Sequence, residues 1–243
     1  MNTHCNSSLI VHINEGQSPK LVKEPLPVPS PGTGQAHASV VQSFGNNVFG
    51  DGAVLGCDFS TAYCLIDQRT SFKVPANLSR KQASTDPLAA ATAWLAMFSP
   101  DNAKLVRSYG ANQSNPNIYH VFGTAGNQRS SPTASRVFDN REGNVCTVRP
   151  GKAHTEGVTE NTLVTDVLIW TPSLKDYRYG KFHWPGEDHD LASELFEKLG
   201  AWLEKGTIKP NTTKVLPGLS AVPNRFQGYR NRKISAYKIV YQI

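Results

Sequence analysis

Four cysteines and two methionines in 243 residues leave little sulfur to work with. Cys5, Cys57, Cys64 and Cys146 are too few for a disulfide framework, and no two stand in a Cys-x-x-Cys pair. Cys57-x6-Cys64 has no second pair, and His183-x5-His189 is a lone couple in a Gly/Asp-rich turn, so no metal site is expected. Long apolar runs are missing as well. The longest, Pro87 to Phe98, contains Thr92 and falls short of the roughly 18 residues of a membrane span. The start of the chain lacks the basic segment of a secretory signal, and Leu9–Ile13 is too short for its apolar core. A cytoplasmic protein with no membrane partner is expected.

Motifs that announce a reaction are absent too. Neither Gly-x-Ser-x-Gly nor a phosphate-binding Walker loop occurs. Gly32-x-Gly34 and Gly50-x-Gly52 start a dinucleotide fingerprint, but neither leads from a strand into a helix. Lys plus Arg number 25 against 19 Asp plus Glu, a formal charge of +6. The densest cations, Arg225, Arg230, Arg232, Lys233 and Lys238, have Phe226, Tyr229 and Tyr237 among them. No motif of a nucleic-acid fold accompanies them, so they read as a solvated basic face and no nucleic-acid partner is expected.

What remains is enough for a folded chain. Hydrophobic residues make up 39% of it, and 19 glycines with 16 prolines make it turn-rich without low complexity. Leu9–Ile13 and Ala36–Ser43 have strand character, with the proline-stiffened connector Glu24–Gly32 between them. Ser79-Arg-Lys-Gln82 has capping-box spacing, and Asp86-Pro87 starts a helix through Phe98 that is apolar nearly all round and is therefore expected to be buried. Ser99-Pro-Asp-Asn102 reads as another helix start directly after it, closed by Gly110. Strand-like runs recur at Ile118–Phe122, Val145–Arg149, Leu163–Trp170 and Ala236–Tyr241. Leu191–Lys205 carries an apolar stripe and ends at Gly206. Alternating strands and helices from Ile118 onward point to an α/β arrangement.

Several segments, in order, resemble the fungal trans-acting enoyl reductases of polyketide biosynthesis, in the zinc-free branch of the medium-chain dehydrogenase/reductase family. The C-terminal third carries the likeness best: Leu191–Pro210, Leu216-Pro-Gly-Leu219, Val222-Pro-Asn-Arg-Phe226 and Lys233-Ile-Ser-Ala-Tyr-Lys-Ile-Val-Tyr241. Leu26–Gly32, Ala53–Phe59, Val74–Ser79, Pro87–Ala93 and Ser99–Ala111 add to it.

The resemblance implies an α/β fold with a GroES-like β-rich catalytic part at about 1–90 and an incomplete Rossmann-like cofactor part at about 91–205. A tail, about 206–243, would return to the first part. It implies hydride transfer from NADPH to an α,β-unsaturated polyketidyl thioester, carried by a partner polyketide synthase or hybrid synthase, with the reductase itself a monomer. By position it implies cofactor contacts at Ser99, Pro100, Asp101, Asn102, Val148, Arg149, Ile234 and Ser235. Substrate contacts would be Thr92, Ala93, Trp94, Leu95, Ala96, Met97, Phe98, Ile169, Trp170 and Thr171. No catalytic residue is assigned, and no metal is implied.

Two departures stand beside these matches. The family's first Rossmann β-α-β unit, roughly 30 residues or more, belongs between the segments matching Phe98 and Ser99, which here are adjacent. The segment after Asp58 also passes over several strands of the GroES-like barrel. A non-catalytic partner of a synthase, and a reductase of free enones or quinones, are the alternative readings.

Overall fold

The computed structural model describes residues 5–12, 20–27, 35–39, 63–99, 118–124, 127–169, 171–172, 177–179, 182–184, 188–221, 225, 228, 231 and 236–242. Contacts divide the chain into two compact units, Met1–Pro87 with Glu197–Ile243, and Leu88–Phe196.

The first unit opens with antiparallel pairs. Strand β1 (Cys5–His12) pairs with β2 (Lys20–Pro27), from Cys5↔Pro27 to His12↔Lys20. Part of the proline-stiffened connector is thus a ladder strand. Pro25 and Pro27 are two residues apart, so both missing N–H donors fall on the same edge, which lets a strand tolerate them. Strand β3 (Gln35–Ser39) pairs with β4 (Tyr63–Asp67). Helix α1 (Arg80–Ala83) has the capping box its sequence announces, with the Gln82 N–H donating to Ser79 Oγ and the Ser79 N–H to Gln82 Oε1.

The second unit holds helix α2 (Pro87–Phe98), strand β5 (His120–Gly123), helix α3 (Ser130–Ser135), and strands β6 (Gly143–Thr147) and β7 (Thr162–Asp166). β5, β6 and β7 form a parallel three-stranded sheet in that order. All five residues of β6, the middle strand, are buried, as a strand covered on both faces must be. The core packs Leu95 and Ala96 of α2 against Cys146 and Val167, with Phe122, Val148, Ile169 and Leu191 around them. Only Ala91, Leu95 and Ala96 of α2 are fully buried, so the expectation of a helix buried on all sides is corrected to one buried stripe. Strands β8 (Tyr177–Tyr179) and β9 (Phe182–Trp184) make a short hairpin.

Helix α4 (His189–Glu204) spans the division at Phe196/Glu197. Ala192, Leu195, Phe196, Leu199 and Leu203 are buried along it. Gly206 ends it at φ +70°, a left-handed conformation that costs glycine nothing. Strands β10 (Thr213–Pro217) and β11 (Lys238–Gln242) then pair in parallel. β11 starts two residues later than its sequence suggests, because Ala236 sits at φ +63°, outside the β region. β7 likewise stops at Asp166 rather than Trp170, since the chain turns at Leu168 where the Thr171 N–H donates to its carbonyl.

Candidate functional site

Parallel strands end on a common edge, and in open α/β sheets ligands bind outside the carboxyl ends. β5 ends there at Gly123, β6 at Thr147 and β7 at Asp166. The ladder runs one residue further, through Val148 N–H to the Gly123 carbonyl at 3.3 Å and Val167 N–H to that of Thr147 at 2.9 Å. The loop after β6 then turns sharply. Arg149 N–H donates to Thr147 Oγ1, and the N–H groups of Gly151 and Lys152 converge on Asp166 Oδ2 at 2.7 and 3.3 Å. Gly151, Lys152, His154 and Gly157 all have positive φ, at 64°, 58°, 66° and 82°. Lys152 and His154 have a Cβ, so each stores local strain of about 1–2 kcal/mol, the kind that concentrates at functional edges. The buried carboxylate of Asp166 is what holds the loop in this shape.

Cys146 lies on β6 behind this edge. Burial pushes its thiol up to about 11, opposed in part by the neighbouring Thr165 side chain. It is therefore a neutral core residue at neutral pH and not a nucleophile.

A second polar group is built from three distant segments. Ser99 leaves the end of α2, Thr171 follows β7, and Asp188 precedes α4. Ser99 Oγ donates to Asp188 Oδ1 at 2.7 Å and Thr171 Oγ1 to Asp188 Oδ2 at 2.5 Å, with all three residues buried. The Ser99 N–H also closes α2 on the Leu95 carbonyl. Two hydroxyl donors satisfy a carboxylate whose burial alone would be costly.

The residues implied by resemblance fall as follows. Ser99 is one of the Asp188 donors, with its hydroxyl already engaged. Val148 borders the core and Arg149 is exposed at the sheet edge. Pro100, Asp101, Asn102, Ile234, Ser235 and Trp170 lie outside the described residues. Within Thr92–Phe98, Leu95 and Ala96 face the core. Thr92 Oγ1 donates to the Leu88 carbonyl and Trp94 Nε1 to that of Leu191. Trp94 and Phe98 rings meet at 4.4 Å. Ala93, Trp94, Met97 and Phe98 are half-buried and keep some surface for contact. Ile169 packs beside the core, and Thr171 is committed to Asp188. Sequence reasoning missed Asp166 and Asp188, although an acidic residue just before a helix such as Asp188 is a recognisable capping signal.

A nicotinamide dinucleotide is a polyanion that lies along the carboxyl edge of a parallel sheet. The described edge fits it in having Gly123 at the end of β5 and the exposed Arg149 and Lys152 after β6. The Gly151 and Lys152 N–H groups are held by Asp166 and are not available to it. Among the described residues no group of three or more His, Cys, Asp or Glu could hold a metal ion, and no helix is long and apolar enough to cross a membrane.

No family model and no curated protein matches the sequence. Solved structures do match the fold. A putative zinc-dependent alcohol dehydrogenase from Rhizobium etli superposes with a TM-score of 0.67 at 13% identity, covering 99% of both chains. The JamJ enoyl reductase gives 0.58 at 12% identity, covering 97% of this chain and 99% of that one. The CurF ER cyclopropanase of the curacin A pathway gives 0.54 at 13% identity, with 97% and 99% covered. These neighbours are medium-chain dehydrogenase/reductase proteins of GroES-like and Rossmann architecture. At this identity the likeness is one of fold, and the α/β class follows from it together with the parallel sheet.

Proposed function

We propose that the chain is a trans-acting enoyl reductase, delivering a hydride from NADPH to the β-carbon of an α,β-unsaturated thioester carried by a polyketide synthase. In this reading the first unit is the catalytic part and the second the cofactor part. One observation carries the reading: a parallel β5–β6–β7 sheet whose carboxyl edge ends beside two exposed cations, Arg149 and Lys152, in a fold like that of enoyl reductases. The sequence resemblance supports the finer identity. When bound, the dinucleotide would supply the hydride. Arg149 and Lys152 would hold its negative charge at the edge. Asp166 would fix the loop carrying them, and the half-buried Trp94, Met97 and Phe98 would give an acyl chain an apolar wall. Oxidation of NADPH by the whole chain with a crotonyl-pantetheine thioester tests it. Turnover that requires the thioester is expected, and oxidation only with free quinones would overturn it.

A second reading has its own observation. Phe98 and Ser99 are adjacent, and the Ser99 hydroxyl is spent on Asp188. A chain lacking the family's first β-α-β unit would then serve the synthase as a non-catalytic partner. Failure to bind NADPH would favour it.

A further inference from the structure

The chain's positive charge is concentrated in its C-terminal segment. Residues 197–243 hold nine of the 25 Lys and Arg but only Glu197 and Glu204 of the 19 acids. Their net +7 exceeds the +6 of the whole chain. The fold of the first unit joins this segment to cations from elsewhere in the sequence. Asn77 Nδ2 donates to the Glu204 carbonyl at 3.1 Å. Asn211 N–H donates to Thr85 Oγ1 at 3.1 Å and Asn211 Nδ2 to the Thr85 carbonyl at 3.2 Å. Helix α1 packs on β10. Residues 77–85 are thereby fastened along 204–214.

The result is one patch of Arg80, Lys81, Lys205, Lys209 and Lys214. All but the half-buried Lys81 are exposed, and Glu204 is the exposed acid among them. None of the five forms an ion pair among the described residues. Like charges gathered this way repel one another, so the patch costs stability unless a partner of opposite sign covers it.

We propose that this patch is the docking surface for an acidic protein partner, one presenting Asp and Glu side chains to its cations. Nucleic acid is disfavoured by Tyr237. Its ring lies beneath Lys214 Nζ at 5.5 Å, so the aromatic surface is covered rather than open for base stacking. Such a surface accelerates encounter and fixes orientation, and screening by salt weakens it. The inference rests on the proposed function only in taking the partner to be the acyl-carrier domain of the synthase.

The test uses the whole chain and a recombinant, acidic acyl-carrier domain, with binding measured by calorimetry at low and at physiological salt. A short oligothymidylate is titrated in parallel. Wild-type protein should bind the carrier domain, more weakly as salt rises. Charge reversal at Lys205→Glu, Lys209→Glu and Lys214→Glu together should weaken binding about tenfold or more. The neutral triple Lys→Gln should give an intermediate loss without the risk of misfolding. Reversal of the exposed Arg129 and Arg136 in the other unit should change nothing. Absence of carrier binding by wild type, equal affinity in the triple variants, or tighter binding to the oligonucleotide would each overturn the proposal. NADPH oxidation with a free thioester needs no docking, so its failure marks failure of the reductase reading alone.

Discussion

Ser99 and Asp188, 89 residues apart, share a buried 2.7 Å hydrogen bond that ties the exit of α2 to the start of α4. Thr171 occupies the other carboxylate oxygen. This single acid therefore organises three chain segments of the second unit, two of which carry residues that resemblance assigns to cofactor and substrate.

Removing the acid should cost more than removing either donor. Asp188→Ala strands two buried hydroxyls, and a loss of about 2–4 kcal/mol is expected. Ser99→Ala leaves the carboxylate one donor and should cost about 1–2 kcal/mol. Urea unfolding reads both. Equal, negligible losses would show that the cluster does not hold these segments.

Gly143 opens β6 against the ring of Phe138, which is fully buried. A Cβ at Gly143 would lie 2.4 Å from that ring, so Gly143→Ala must displace a core aromatic. The expected cost is about 1–3 kcal/mol, seen as a lower Tm. An unchanged Tm would mean that Phe138 has room to move.

Leu95 is fully buried in the core beside Cys146 and Val167. Leu95→Ala should destabilise by about 2–5 kcal/mol, with Leu95→Met costing less than about 1.5 kcal/mol. Denaturant midpoints distinguish them.

Asp86 is buried, and its Oδ2 has no hydrogen-bond partner among the described residues. Burial raises its carboxyl from 3.8 to about 6. The folded state thus holds a proton that the unfolded state has released, so stability should fall as pH rises from about 4 to about 6 and then level off. Allowing for solvent screening, the loss is on the order of 1 kcal/mol. Asp86→Asn keeps the side chain's shape without its titrating proton and should abolish this slope. A slope that survives the substitution would assign it to another group.

Local signals in the sequence were clear where local chemistry decides the structure. Ser79 and Gln82 make the expected capping box, Asp86-Pro87 begins α2, and the stripe from Leu191 to Leu203 becomes α4. Elements that depend on distant partners were not legible. Helix α3, Ser-Ser-Pro-Thr-Ala-Ser, has weak helix formers and forms against β5 and β6. Strand β10 ends in proline and is a strand through pairing with β11, whose register no local pattern reports. Ser99 read as a helix cap, and its actual partner, Asp188, is found only by folding. The Asp166 grip on Gly151 and Lys152 is equally a product of two strand ends meeting.

In the proposed function, the carboxyl edge of the β5–β6–β7 sheet holds a reduced dinucleotide for an enoyl thioester. Titration of the whole chain with NADPH, followed by its fluorescence, and then addition of a crotonyl-pantetheine thioester tests this most directly. Saturable binding, followed by thioester-dependent loss of reduced nicotinamide, is the predicted result. Absence of NADPH binding by folded protein would contradict it and leave the non-catalytic partner as the account of this chain.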